Sequence, residues 1–141
     1  MRRLVLDTDV FVAALAGPGG GARRVLRACL AGEAQPIVGE ALFREYESVL
    51  ERPALWKRSL LTPAERLVLL EDFLSVAEWV EVYFGWRPNL PDEGDNHLIE
   101  LAVAGTAGAI VTRNVRDLAR GELRFPGLRV LTPRQWLKED V

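Results

Sequence analysis

Short apolar runs alternate along the chain with longer segments whose apolar residues recur at helical spacing. The runs predict five strands, at residues 4–6, 36–38, 79–84, 109–112 and 128–131. The longer segments predict helices at residues 22–31, 40–50, 63–77 and 95–104, and after residue 132. The glycine-rich residues 17–21 predict a turn. The order of these elements indicates an α/β protein.

Two of the helices have a recognisable start in the sequence. Residues 62–65 (Thr-Pro-Ala-Glu) and 132–135 (Thr-Pro-Arg-Gln) each place threonine as the N-cap and proline at the first helical position. Glu65 and Gln135 stand where a side chain can reach back to the N-cap, so both segments predict capping boxes. Asp95 is a similar candidate N-cap for the helix that follows it.

Strands separated by helices of this length favour a parallel sheet that is covered on both faces, within one domain spanning residues 1–141. In such sheets functional residues collect beyond the carboxyl ends of the strands, near a switch in strand order. Asp7 and residues 112–117 follow strands in this way, and the start of the Asp95 helix is expected at the same edge. Strand order itself stays open at this point.

Composition and charge exclude several classes of site. The 18 basic and 20 acidic side chains give a formal net charge of -2, so nucleic acid would have to bind a local patch. Cys29 is the only cysteine, which excludes an internal disulfide and a thiolate zinc site and suits the cytoplasm. Acids at Asp7 and Asp9 interrupt the apolar N-terminal run, which we interpret as a strand and not as a signal peptide.

Four segments together resemble the PIN-domain family. They are LVLDTDVFVAAL, GEALFREYESVLERP, PDEGDNHLIELAVAGTAGAIVTRNVRDL and VLTPRQWL, and they occur in the order typical of that family. The resemblance spans nearly the whole chain and is strongest to the VapC ribonucleases, the toxin components of toxin–antitoxin pairs. It implies a three-layer α/β/α fold with a central, mostly parallel sheet, and hydrolysis of RNA to a 5′-phosphate and a 3′-hydroxyl.

The resemblance also implies a catalytic and metal-binding set of four acids: Asp7, Glu45, Asp95 and Asp117. The fourth position departs from the common pattern, because Asn114 stands where many members have an acid. Asp117, three residues later, is assigned as that acid and Asn114 as its polar helper. Asp9 stands where many relatives have asparagine, and its role is left open.

Elementary electrostatics agrees with a metal at such a cluster. Two carboxylates about 4 Å apart repel by about 4 kcal/mol at an effective dielectric of about 20, so the site needs protons or cations. Carboxylate oxygens suit one or two ions of Mg²⁺ or Mn²⁺. The supporting residues expected around the acids are Thr8, Asp92, Thr112 and Asn114. The residues expected to bind the RNA backbone are Arg113, Arg116, Arg23 and Arg24.

The family resemblance implies three partners: RNA as substrate, an antitoxin whose segment covers the acidic groove, and a second copy of the chain in a homodimer or higher homo-oligomer. Two other functions stay open. One is a PIN scaffold that binds RNA or protein without cleaving it, which Asn114 favours. The other is a haloacid-dehalogenase-like phosphatase using Asp7 and Asp9, which the lack of a suitably placed lysine disfavours. His97 is interpreted as structural, as a lone histidine usually is.

Overall fold

The computed structural model describes residues 1–17, 20–82, 96–118 and 127–139. Its strands are β1 (Arg2–Leu6), β2 (Ala34–Val38), β3 (Glu78–Trp79), β4 (Ala109–Val111) and β5 (Arg129–Leu131). Its α-helices are α1 (Thr8–Ala16), α2 (Gly21–Leu30), α3 (Glu40–Leu50), α4 (Pro63–Val76), α5 (Asn96–Ala104), α6 (Val115–Leu118) and α7 (Pro133–Lys138). A short 3₁₀ helix, Pro53–Trp56, lies between α3 and α4.

Within these residues the strands form one parallel sheet in the order β3-β2-β1-β4-β5. Strand β1 is central, and its Leu4 is in register with Pro36 of β2 on one side and Ala109 of β4 on the other. The chain moves from β1 to β2 and β3, and then returns across the sheet to β4. The boundary between β1 and β4 is therefore the switch point at which parallel α/β sheets commonly bind ligands.

Helices cover both faces of the sheet. The connection from β1 to β2 and the one that enters β4 run in opposite directions, so right-handed crossovers put α2 and α5 on opposite faces. Helix α5 packs on β1, β2 and β4, whereas α2 and α4 pack against β2. The layers enclose a core in which Leu4, Phe11 and Ile110 are fully buried. The predicted α/β/α fold with a parallel sheet is confirmed.

Two glycines let α5 approach β2 closely. A Cβ atom at Gly105, just after α5, would lie 2.7 Å from Cγ2 of Ile37 in β2. A Cβ atom at Gly39, just after β2, would lie 3.0 Å from Cδ1 of Leu101 in α5. The absence of a side chain at both positions thus sets the spacing between this helix and the sheet.

The sequence predictions of the elements are confirmed in part. Helix α3 has the predicted bounds, and both capping boxes are present. Helix α1 was not predicted, because its residues are almost all apolar and show no helical period. The predicted strand at 79–84 is wrong in its extent: the strand is Glu78–Trp79, and residues 83–84 lie outside the described part. Pairing stops there because β2 ends at Val38, whose carbonyl accepts the last bond from the Val80 amide at 2.8 Å.

Candidate active site

Asp7 lies at the switch point, between the end of β1 and the start of α1. It is the N-cap of α1, and its Oδ1 accepts a hydrogen bond from the Thr8 amide at 2.7 Å. Its own amide donates to the carbonyl of Val111, the last residue of β4, at 2.9 Å. These two bonds fix the carboxylate above the boundary between the two central strands.

Thr112 follows β4 and holds the other oxygen of Asp7. Its side chain is fully buried, and its hydroxyl donates to Oδ2 of Asp7 at 2.7 Å. The Thr112 hydroxyl oxygen accepts from the amide of Asn114 at 3.0 Å, which fixes the hydroxyl proton toward Asp7. Each carboxylate oxygen of Asp7 therefore has one donor, and a remaining lone pair on each is available to a cation.

Glu45 reaches the same place from the middle of α3. Its Oε2 accepts from the Thr8 hydroxyl at 2.8 Å and lies 3.2 Å from Nε2 of His97, near the start of α5. The next residue, Tyr46, is fully buried and donates from its hydroxyl to the carbonyl of Leu6 at 2.5 Å. This bond ties α3 to the end of β1 and sets the height of Glu45 above the sheet.

Asp9 is the third acid of the site, in the first turn of α1. The amide of Arg113 points at its carboxylate, 3.1 Å from Oδ2 and 3.3 Å from Oδ1. Arg113 follows β4, as Thr112 does, and Asp9 follows β1, as Asp7 does. The segments after these two strands are therefore joined by two hydrogen-bonded contacts.

These three acids line one open cleft of about 330 Å³. Its walls are formed by Asp7, Thr8, Asp9, Glu45, Ser48, Val49, Arg52 and Asn114. The acids and the Asn114 amide offer oxygen ligands, as hard divalent cations such as Mg²⁺ and Mn²⁺ require. The donor set fits such an ion. Among the described residues, however, no group of three His, Cys, Asp or Glu side chains is close enough to hold one metal by itself.

The carboxylates of the cleft have shifted pKa values. Burial and then the charge of Glu45 raise the pKa of Asp7, although hydrogen bonds from Thr112 and Thr8 oppose the shift. Burial and then the charge of Asp7 raise the pKa of Asp9 to about 6. Burial also opposes ionisation of Glu45, but its contact with His97 and the hydrogen bond from Thr8 outweigh that effect and lower its pKa. Negative charge is therefore costly at Asp7 and Asp9, and a cation would relieve that cost.

The remaining predicted acids are placed differently. Asp117 lies in α6 and is not among the residues that line the cleft; its Oδ2 accepts from Nδ2 of Asn114 at 2.9 Å. Asn114 does line the cleft and so connects Asp117 to it; its role as a polar helper stays a prediction. Asp95 and Asp92 lie outside the described residues.

A family model described as the PIN domain matches residues 3–116. The chain belongs to the PIN-domain family. No curated protein sequence matches it significantly.

The fold of this PIN domain is similar to one chain in the crystal structure of VapBC2 from Rickettsia felis bound to a DNA fragment from their promoter. The TM-score is 0.57 and the sequence identity is 16%, and the match covers 91% of this chain and 96% of that chain. At this level of identity the similarity concerns the fold alone.

The predicted arginines of the PIN domain lie in three settings. Arg113 and Arg116 are exposed beside the segment that follows β4. Arg23 instead donates to the carbonyls of Ala14, at 3.1 Å, and Gly17, and so stabilises the end of α1. Arg24 is exposed but lines a separate hollow with α7 residues, away from the acidic cleft. RNA binding by each of them stays a prediction.

Sequence reasoning missed four residues at the site. Asp9 was noticed without a role in this site, His97 was interpreted as structural, and Ser48 and Arg52 were not considered. Ser48 and Arg52 lie three and seven residues after Glu45. Helical spacing therefore places them on the same side of α3 as Glu45, and this signal was present in the sequence. His97 had no such signal, because its contact with Glu45 depends on how α5 packs against α3.

In the part of the chain that the structure describes, no helix is both long and apolar enough to span a membrane.

Proposed function

We propose that this PIN domain is a metal-dependent endoribonuclease and the toxin component of a type II toxin–antitoxin pair. The observation that carries the proposal is the cleft at the β1–β4 boundary, where Asp7, Asp9 and Glu45 converge. These carboxylates are half-buried, carry a costly charge and lie near arginines, so they suit a cation that also binds phosphate oxygens.

The proposed ligands of one or two Mg²⁺ or Mn²⁺ ions are Asp7, Glu45, Asp95 and Asp117, with Asp9 added from its position in the cleft. When bound, such an ion lowers the pKa of water and stabilises the charge that develops on phosphate oxygens. Asn114 would support Asp117 through the hydrogen bond that its side-chain amide donates. Asp92 would act in a supporting role.

The chain's own residues would orient the carboxylates and the RNA. Thr112 and Thr8 donate to Asp7 and Glu45 and keep their free lone pairs directed into the cleft. His97 approaches the same oxygen of Glu45 as Thr8 does and would restrict the rotation of that carboxylate. Arg113 and Arg116 would bind RNA phosphates beside the cleft.

Hydrolysis at this site would use water and no side-chain nucleophile. Water attacks the phosphorus, the bond from phosphorus to the 3′ oxygen breaks, and the leaving 3′ oxygen gains a proton. The products carry a 5′-phosphate and a 3′-hydroxyl. Cys29 does not compete for this role, because it is fully buried and its pKa is raised to about 12 by that burial.

The proposed partners follow from the toxin role. An antitoxin segment would cover the acidic cleft and insert a basic side chain in place of the metal. Self-association would use exposed apolar residues at the edge of α4, where Leu60, Leu67 and Val68 are 89%, 51% and 52% exposed. The similar fold of a VapBC2 chain supports this branch of the family as the first to test.

Cleavage of a mixed panel of single-stranded RNAs by the purified chain with Mn²⁺, Mg²⁺ or EDTA tests the proposal. Asp7→Asn keeps the size of the side chain and removes its charge, so cleavage is expected to fall by at least about a hundredfold. The matched control is Asp72→Asn, the same change at an exposed site on α4. We expect the control to cleave as the parent does.

Activity that persists in EDTA or in Asp7→Asn would contradict the metal mechanism. A folded parent that binds RNA in the same assay buffer but never cleaves it would favour a binding module. That outcome would give weight to the loss of an acid at Asn114.

A further inference from the structure

Basic residues are concentrated on two helices that contact each other. Helices α2 and α7 carry five basic residues and no acidic one: Arg23, Arg24, Arg27, Arg134 and Lys138. The rest of the chain has 13 basic and 20 acidic side chains, so this surface differs in sign from the molecule as a whole. Such a local field attracts a polyanion that the net charge would not.

A groove follows the junction of these two helices. A Cβ atom at Gly21 in α2 would lie 3.4 Å from Cβ of Pro133 in α7, which shows how closely the helices meet. On one side of this contact is a hollow of about 400 Å³, lined by Arg113 and Arg134 among others. On the other is a hollow of about 520 Å³, lined by Arg2, Arg24 and Arg27 together with Glu33. We call these two hollows the α2–α7 groove.

The nearer hollow of the groove lies next to the acidic cleft, and Arg113 contacts both. The backbone amide of Arg113 contacts Asp9 at the cleft, and Arg113 lines the nearer hollow of the groove. Arg2 and Leu6 bound β1, which spans about 13 Å, so the farther hollow lies well beyond the reach of one phosphate at the cleft. A chain of several phosphates is needed to occupy both.

The arginines of the groove are available to a ligand. Arg24, Arg27 and Arg134 are exposed, and their side chains form no hydrogen bond or ion pair with any described residue. Arg2 instead shapes the hollow: it donates to the carbonyl of Trp136 at 2.8 Å and lies 3.7 Å above the ring of that residue. Exposed guanidinium groups suit the phosphates of a nucleic acid strand, which they can bind bidentately.

We infer that the α2–α7 groove binds the single-stranded RNA that extends from the acidic cleft, through Arg134, Arg24 and Arg27. This inference rests on the proposed ribonuclease function and names the path of its substrate. The groove then adds affinity for long RNAs only. RNAs short enough to fill only the cleft gain nothing from it.

The test uses Arg24→Gln/Arg27→Gln, with Lys57→Gln/Arg58→Gln as a control that removes the same charge from an exposed turn. All proteins carry Asp7→Asn so that the RNA stays intact, and fluorescence anisotropy measures Kd over a range of salt concentrations. The probes are labelled RNAs of about 20 and about four nucleotides, which bracket common single-strand site sizes.

The groove variant is expected to bind the long RNA roughly tenfold more weakly than the control. The slope of log Kd against log salt is expected to fall by about 1.4, the value for two lost phosphate contacts on a single strand. The short RNA is expected to bind both variants equally. Equal binding of the long RNA by both variants, or weaker binding of a polyglutamate peptide with RNA binding unchanged, would overturn the inference.

A second arm separates this inference from the proposed function. With Asp7 intact, the groove variant is expected to cleave the short RNA at the parent rate and the long RNA with a raised KM. Failure of the parent to cleave either RNA would count against the nuclease, whatever the binding data show. Parent-like KM values for both RNAs in the groove variant would count against the groove alone.

Discussion

Thr112 contributes one hydroxyl to the site, and its surroundings direct the proton of that hydroxyl to Asp7. It is fully buried, donates to Asp7 and accepts from the amide of Asn114, so its proton has one direction available. Groups that orient a carboxylate in this way tune its affinity for metal. Thr112 is therefore a positioning residue for Asp7.

Thr112→Val replaces the hydroxyl by a methyl group of similar volume. We expect Mn²⁺ affinity and kcat/KM for RNA cleavage each to fall by about tenfold to a hundredfold, because Asp7 loses a donor that orients it. Isothermal titration with Mn²⁺ and initial-rate kinetics measure the two effects. Thr112→Ser, which keeps the hydroxyl, is the matched control; an equal loss in both variants would mean that packing, and not the hydrogen bond, matters.

Asp9 makes the stability of the metal-free protein depend on pH. Its pKa in the folded state is about 6, raised by burial from its ordinary value of 3.8. Between these two values the folded protein holds a proton that the unfolded chain has lost, so the free energy of unfolding decreases as pH rises from about 4 to 6. The decrease then stops, because both states are ionised.

Asp9→Asn removes this titration. In EDTA we expect the variant to be more stable than the parent above pH 6, and the difference between them to shrink as pH falls toward 4. Urea unfolding at several pH values measures the difference. Asp72→Asn controls for net charge, and a gain in stability from Asp9→Asn that is the same at pH 4 and pH 8 would contradict the assignment.

The elements were predicted from sequence where local chemistry determines them. The capping boxes at Thr62 and Thr132 and the amphipathic α3 depend on neighbouring residues only. Helix α1 was missed because its almost wholly apolar residues show no helical period, and Asp7 was not considered as its N-cap. The end of β3 depends on where β2 ends, a tertiary contact that no local pattern contains.

The close packing of α5 on β2 depends on the absence of a side chain at Gly105. In Gly105→Ala the new Cβ atom would lie 2.7 Å from Ile37, so helix or strand must shift. We expect a loss of about 1–3 kcal/mol in the free energy of unfolding, the usual cost of overpacking. Urea denaturation gives the value.

Gly108→Ala is the matched control, because its Cβ atom would approach only the Arg3 carbonyl, at 3.8 Å. This change should be close to neutral or slightly stabilising, since alanine has less conformational freedom in the unfolded chain. Equal losses in both variants would show that the instability of Gly105→Ala does not come from a clash between α5 and β2.

For the whole molecule, the sequence supported a parallel α/β fold but not its strand order. Asp7 and Thr112 are 105 residues apart, and they meet because β4 crosses back to pair with β1. That return depends on the packing of α5 over three strands, which one sequence does not specify. The acids were therefore proposed through family resemblance and Thr8 and Thr112 were expected beside them, whereas the fold shows which carboxylate oxygen each threonine binds.

The same convergence of charge predicts how the folded molecule responds to metal. An ion that binds only the folded state stabilises it by about 2.7 kcal/mol at a hundred times its Kd. Mn²⁺ is therefore expected to raise Tm by several degrees in the parent and in Asp72→Asn, but little in Asp7→Asn. Asp9→Asn should start from a higher Tm in EDTA and gain less from Mn²⁺, because less repulsion remains for the ion to relieve. Equal gains in all four proteins would mean that Mn²⁺ binds away from the cleft, and the proposed metal site would then be wrong even if RNA cleavage were observed.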